Sequence, residues 1–311
     1  MIPPVAINGE LAPRSLSFEM NDRAVSFAEV TGLVRFEGTQ GTIEDVHASS
    51  VGPNSTDEAD PYSIAIDGDW AIEDEGFGVD LTIDAKGGVL DSPLRAVLPS
   101  VLDTVLNNLQ LGSAGPMDIA GLQLSADRIG SEHMSFRVDG RADILGGYAT
   151  IGMPITDLDG RIDFVAAGEQ GRVGYEINLE ADKLLAGPLR LREGRMNLVG
   201  DASRPGVVLI PEIEAAMHGG RIAGSAQIRP ADNKRSRYWA DIHCSGVRAA
   251  PMFDDFLLPA GGLEGPPIPG EENVRSAWDI DDEFSRGLMI ADLSMSGIVG
   301  DPSNRAGRGR L

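Results

Sequence analysis

The chain predicts an all-β fold of many antiparallel strands, and three observations carry that expectation. One ten-residue phrase is written twice, 128 positions apart: Phe27-Ala28-Glu29-Val30-Thr31-Gly32-Leu33-Val34-Arg35-Phe36 matches Ile155-Thr156-Asp157-Leu158-Asp159-Gly160-Arg161-Ile162-Asp163-Phe164 in its apolar, acidic and glycine positions, without a gap. Repetition of this kind points to a repeating β architecture, which acts through an extended surface rather than a catalytic pocket. Period-two alternation recurs from end to end, as in Tyr62, Ile64, Ile66, Trp70 and Ile72 against Ser63, Asp67 and Asp69. That is the pattern of a strand with one dry and one wet face. Turn phrases punctuate the runs: Asp67-Gly68, Val138-Asp139-Gly140-Arg141, Gly146-Gly147 and His218-Gly219-Gly220.

Taken in order, strands are expected near 14–19, 27–36, 43–49, 62–72, 79–85, 117–126, 132–140, 147–152, 155–164, 173–181, 189–199, 206–216, 221–229, 238–247 and 289–300. One segment departs from the pattern. From Asp91-Ser92-Pro93 onward, Leu94, Val97, Leu98, Val101, Leu102, Val105, Leu106 and Leu109 recur at three- and four-residue spacing, which predicts a helix over about 93–110 packed on the sheet or plugging its end. A shorter helix is expected around Pro251–Leu258, after the strand at 238–247. Exposed loops are expected at 52–61 and at the Gly/Pro-rich stretch 258–273. The two copies of the phrase divide the chain into repeat-like halves of about 1–130 and 131–311 within one elongated unit. Arg308-Gly309-Arg310-Leu311 reads as the first residues of a further strand, so the chain is expected to be a segment of a longer protein.

Charge and composition narrow the function classes. Forty-eight acidic against 26 basic residues give a formal charge of −22, which repels nucleic-acid phosphates and argues against a nucleic-acid partner. Cys244 is the only cysteine, so an intrachain disulfide is impossible, and its place in Tyr238-Trp239-Ala240-Asp241-Ile242-His243-Cys244 predicts a small buried apolar side chain. No run approaches the roughly 18 apolar residues of a spanning helix, and the first residues lack the basic-then-apolar pattern of a signal peptide.

Residues that would carry chemistry do not assemble into a motif. His47, His133, His218 and His243 are scattered without ligand spacing, and each reads as an ordinary strand or turn histidine; no metal or other cofactor is expected. Acidic pairs such as Asp67/Asp69 and Asp157/Asp159 lack the glycine and terminal glutamate of a calcium loop and read as solvated strand-edge carboxylates. A serine nucleophile elbow and a phosphate loop are also absent, so the chain is read as a non-enzyme.

The positive clue is the dry face. Aromatics make up 5% of the chain while glycine reaches 39 residues, so the strands carry medium aliphatic side chains. A wide aliphatic surface suits either a second sheet or acyl chains. A sixteen-carbon chain left in water costs about 12 kcal/mol at roughly 0.8 kcal/mol per methylene, a large drive toward such a surface.

Several phrases together resemble the AsmA-like family of bacterial envelope proteins, with its AsmA, TamB and YhdP types. They are the pair at 27–36 and 155–164, Ile43-Glu44-Asp45-Val46-His47-Ala48, His218-Gly219-Gly220-Arg221-Ile222-Ala223-Gly224-Ser225-Ala226-Gln227-Ile228, and Met295-Ser296-Gly297-Ile298-Val299-Gly300-Asp301. The resemblance implies a long, twisted, mostly antiparallel sheet curled into an open groove with an aliphatic lining and a polar exterior. It implies a periplasmic or cell-envelope location and non-catalytic transfer of phospholipid or other acyl lipids, with membrane contact through parts outside this segment. The groove lining it implies is Ile64, Ile66, Ile72, Leu81, Ile83, Val138, Ile162, Phe164, Ile177, Leu179, Ile222, Ile242 and Leu293. Two rivals stand beside it. One is a structural or adhesive β-repeat protein with a closed core and an acidic, calcium-binding surface; the other is a carbohydrate-active β enzyme, which needs two converging carboxylates beside exposed aromatics.

Overall fold

The computed structural model describes residues 8–20, 23–49, 63–73, 76–88, 112–113, 115–129, 133–151, 153–170, 172–230, 236–249, 251, 287–299 and 301–310. Seventeen strands account for nearly all of them: β1 Asn8–Leu11, β2 Leu16–Met20, β3 Arg23–Glu37, β4 Gln40–Ser49, β5 Ser63–Glu73, β6 Gly76–Gly88, β7 Gly112–Ser113, β8 Met117–Ile129, β9 His133–Ile151, β10 Met153–Glu169, β11 Arg172–Ala186, β12 Leu189–Gly200, β13 Val208–Met217, β14 Gly220–Pro230, β15 Ser236–Arg248, β16 Leu288–Ile298 and β17 Asp301–Arg310. All pair antiparallel, in one sheet that curls without closing into a barrel. The sequence-predicted all-β class is the observed one.

The connectivity is a meander. From β3 each strand pairs with the next through to β17, except that β6 passes over β7 to pair with β8. Two long strands each take two others on one edge. The N-terminal half of β3 pairs with β2 and its C-terminal half with β1, while β9 holds both β7 and β8. Strands on both sides of residue 130 belong to the same sheet, and β8 and β9 pair across that point.

Several expected turns are strand interior. Asp67-Gly68 lies within β5, and both Val138–Arg141 and Gly146-Gly147 lie within the single strand β9, which merges the two strands expected at 132–140 and 147–152. His218-Gly219 is a true reversal between β13 and β14. The C-terminal residues expected to start a strand instead finish β17. The helix expected over 93–110 and the loops at 52–61 and 258–273 lie outside the described residues, as do residues 252–258 of the second helix, whose first residue Pro251 is helical, as is Ala249 ahead of it.

Gly68 and Gly140 continue unshifted ladders with β6 and β10, whereas the misreading at Gly146 has a specific physical cause. A left-handed backbone, which a glycine signals in sequence, also serves a β-bulge, where one extra residue enters a strand that continues beyond it. Eight left-handed residues sit at register shifts in this sheet: Glu29 in β3, Asp45 in β4, Gly87 in β6, Gly121 in β8, Gly146 in β9, Asp157 in β10, Glu193 in β12 and Gly246 in β15. Four of them are acidic rather than glycine. The repeated phrase is one such bulge written twice: Glu29 and Asp157 take φ of 52° and 51°, the following Val30 and Leu158 are buried, and Gly32 and Gly160 come next but one. A Cβ on Gly32 would run into the Asp45 carbonyl, and one on Gly160 into the Glu180 carbonyl, so neither position tolerates a side chain without backbone movement. Asp45-Val46-His47-Ala48 repeats the scheme with alanine in the last place.

Candidate functional site: an apolar face across the sheet

Register converts alternation into a surface, because residues directly opposite on neighbouring strands share a face. One line of such partners runs Ala48, Ile64, Ala85, Ile119, Ala142, Ile162, Leu179, Met196, Ile213, Gly224, Ile242, Leu293 and Gly309. It crosses every strand from β4 to β17 except the two-residue β7, and every member is aliphatic, methionine or glycine. At about 4.8 Å per strand step its length is about 58 Å. A parallel line runs Val34, Ile43, Gly68, Leu81, Leu124, Val138, Ala166, Tyr175, Gly200, Val208, Ile228 and Tyr238. Ala166 and Ile162 are four apart in a stretch of β10 without a register shift, so Val34 and Ile162 face the same side.

All thirteen residues expected to line a groove fall on this face. Ile64, Ile162, Leu179, Ile242 and Leu293 lie on the first line, and Leu81 and Val138 on the second. Ile66 and Ile83 are partners between the two, as are Phe164 and Ile177; Ile222 opposes Ala215 and Cys244; and Ile72 opposes Phe77 beyond the second line. Their burial is graded. Val138, Ile162, Leu179 and Ile222 are buried, Ile64, Ile66, Leu81, Ile83, Phe164, Ile177 and Ile242 are half-buried, and Ile72 and Leu293 are 52% and 38% exposed. Ile177 and Met196 pack against both the cluster around Ile144, Leu158 and Ile162 and the cluster around Val208, Ile210 and Ile228, which makes the apolar layer continuous from β6 to β15.

Three aromatic residues on this face, Phe36, Trp70 and Phe136, share a line of their own, which the sequence did not reveal because the partners are distant. Gly9, Phe36, Gly41, Trp70, Val79, Ala126, Phe136, Gly168 and Val173 are successive cross-strand partners. The Phe36, Trp70 and Phe136 rings lie over Gly9, Gly41 and Gly168, where a Cβ would strike each ring. Ring over glycine covers backbone that would otherwise be bare. Tyr175 lies over Gly200 in the same way, and burial there pushes its phenol up to about 12. Cys244, in register with Ile222 and Ala291, is buried as expected, and burial raises its thiol above the ordinary value, with the nearby Asp292 adding to the effect.

The opposite face is ionic. Arg161 faces Asp143 at 3.0 Å and Arg141 faces Asp163 at 2.7 Å across β9 and β10, and Arg195 faces Glu180 at 3.7 Å across β11 and β12. The Asp163 carboxylate raises the Arg141 guanidinium by hydrogen bonding first and charge second. Asn197 donates to Asn178 and Glu176, and the Ser294 hydroxyl donates to Asp241. His47 and His243 each meet an aspartate at 2.7 Å, Asp45 and Asp292 respectively, and the His218 carbonyl accepts from Arg248. Among the described residues no group of three histidine, cysteine or acidic side chains could hold a metal. Trp239 lies on this ionic face with Arg229 5.8 Å from its ring, opposite to the side that holds Trp70.

Fold and faces define a class: an open, single-sheet antiparallel β protein with one aliphatic and one ionic side. No protein-family model matches the chain, and no curated protein or solved structure matches it.

Proposed function

We propose that this chain binds lipid acyl chains along its apolar face and passes them across the sheet without chemistry, as a segment of a lipid-transfer protein of the bacterial cell envelope. The observation that supports the reading is the unbroken line from Ala48 to Gly309, thirteen residues without one polar side chain, on a sheet left open rather than closed on itself. Acyl tails would lie on this face with headgroups in water. Aliphatic contact is non-directional and similar at each strand step, so a bound chain meets little barrier to sliding. The ionic face keeps the other side of the same sheet in water. The phrase resemblance to the AsmA-like family supports the envelope assignment and phospholipid as the cargo.

Native mass spectrometry of the purified protein tests this directly. Co-purifying phospholipid, displaced by added fatty acid, is the expected result. A lipid-free protein that gains stability with calcium instead would replace this reading with the structural or adhesive one.

A further inference from the structure

Four bulges between β4 and β10 are tied to their neighbours in a recurring way. At four of them an aspartate on the adjacent strand accepts a hydrogen bond from a backbone amide at the bulge. Asp67 in β5 takes the Asp45 amide at 2.7 Å, and Asp159 in β10 takes the Gly146 amide at 2.9 Å. Between β6 and β8 the arrangement is reciprocal: Asp84 takes the Gly121 amide at 2.8 Å while Asp118 takes the Gly87 amide at 2.9 Å. In each case the amide belongs to a left-handed residue, at φ between 52° and 73°. The extra residue of a bulge has no ladder partner, so its amide needs another acceptor, and a carboxylate is a stronger one than water or a neutral carbonyl.

The four ties form a band that crosses the sheet. It runs obliquely to the register: Asp67 opposes Thr82, two residues before Asp84; Gly121 lies between the pairs Ala120–Arg141 and Gln123–Asp139; and Gly146 is five residues beyond Arg141 on β9. Bulges bend a strand and sharpen its local twist, and aligned bulges bend a sheet along one line. We propose that this band of carboxylate-held bulges is the bend line that sets how far the sheet curls between β4 and β10, with each aspartate fixing a left-handed kink that the strand would otherwise straighten or shift. The width of the apolar face is then set from the polar side groups of neighbouring strands, independently of what the face binds.

The test uses the full chain carrying spin labels at Thr42→Cys and Ala167→Cys in a Cys244→Ser background. Both labelled positions are exposed on the ionic face, at the two ends of the register row Thr42, Asp69, Asp80, Ser125, Arg137 and Ala167, which crosses the strands that carry the band. Asp84→Ala with Asp118→Ala removes two ties. The expected result is a longer and broader label-to-label distance by pulsed electron resonance, with exchange at the Gly87 and Gly121 amides faster by about tenfold, the loss of one charge-assisted hydrogen bond at each. Asp84→Asn with Asp118→Asn keeps an oxygen acceptor in place and is expected to hold the distance near that of the parent. An unchanged distance in the alanine variant, or an asparagine variant that spreads as far as the alanine one, overturns the proposal. If the double alanine variant does not fold, Asp67→Ala alone is read the same way, with exchange at the Asp45 amide as its second measure.

Discussion

Glu29 and Asp157, 128 residues apart, hold the same left-handed backbone, φ 52° and 51°, at the same place in a β-bulge. An L residue spends about 1 kcal/mol or more in that conformation, so both copies of the phrase carry a local cost that the surrounding register sustains.

Replacing that residue tests the point. Asp157→Gly relieves the backbone and is expected to leave the unfolding free energy from urea titration unchanged or raised by less than about 1 kcal/mol, because glycine's gain is offset by its unfolded-state entropy. Asp157→Val is expected to lose about 2 kcal/mol, since a β-branched residue is a poor fit to positive φ. Equal midpoints for the two variants would contradict the bulge.

The glycines that follow are expected to be less forgiving. Gly160→Ala drives a Cβ into the Glu180 carbonyl and is expected to cost about 2 kcal/mol or more. Gly187→Ala is the comparison: its φ is 59° but nothing lies within 4 Å of a Cβ there, so only the backbone term of about 1 kcal/mol applies. Chemical denaturation that ranks Gly187→Ala as the more damaging would refute the packing argument.

Asp159 gives the fold a defined acid sensitivity. Its carboxyl is held below the ordinary value, first by the hydrogen bond with Lys183 and then by the Gly146 amide. A folded value below the unfolded one means that the unfolded chain binds more protons in that window, so stability rises with pH there. The contribution is complete above the unfolded aspartate value near ~3.9 and fades as pH falls through the lower folded value. The stability gap between the parent and Asp159→Asn is expected to be constant above about pH 5 and to narrow below about pH 4. A gap that widens on acidification would reverse the assignment. Lys183, raised by the same partner, contributes in the opposite window and loses its part as pH climbs through its folded value.

The binding reading turns on one face. Ile177→Asp, at the junction of two apolar clusters, is expected to cut capture of a photoreactive fatty acid by about tenfold while strand content by circular dichroism persists. Val165→Asp, on the ionic face and 38% exposed, is expected to leave capture alone. If Ile177→Asp captured as well as the parent, the apolar line would not be the route.

Much of this molecule is determined by the sequence itself. Alternation in segments such as 173–181 assigns each side chain to a face because strand geometry has a period of two, and no neighbour is needed for that. Val34 and Ile162 could therefore be placed on an apolar face from their own strands. Gly146-Gly147 could not be resolved in the same way. A glycine with positive φ serves a hairpin or a bulge equally well, and the choice depends on whether a neighbouring strand supplies an acceptor such as Asp159 for the freed amide. Likewise, only cross-strand register joins Ile64 to Ile162 and Leu293 in one line, because register is fixed between strands distant in sequence by bulges and packing. The amino acids determine which side of a strand is dry. The tertiary structure decides that thirteen such sides form one continuous surface, and that eight left-handed residues sit at register shifts within strands that continue past them.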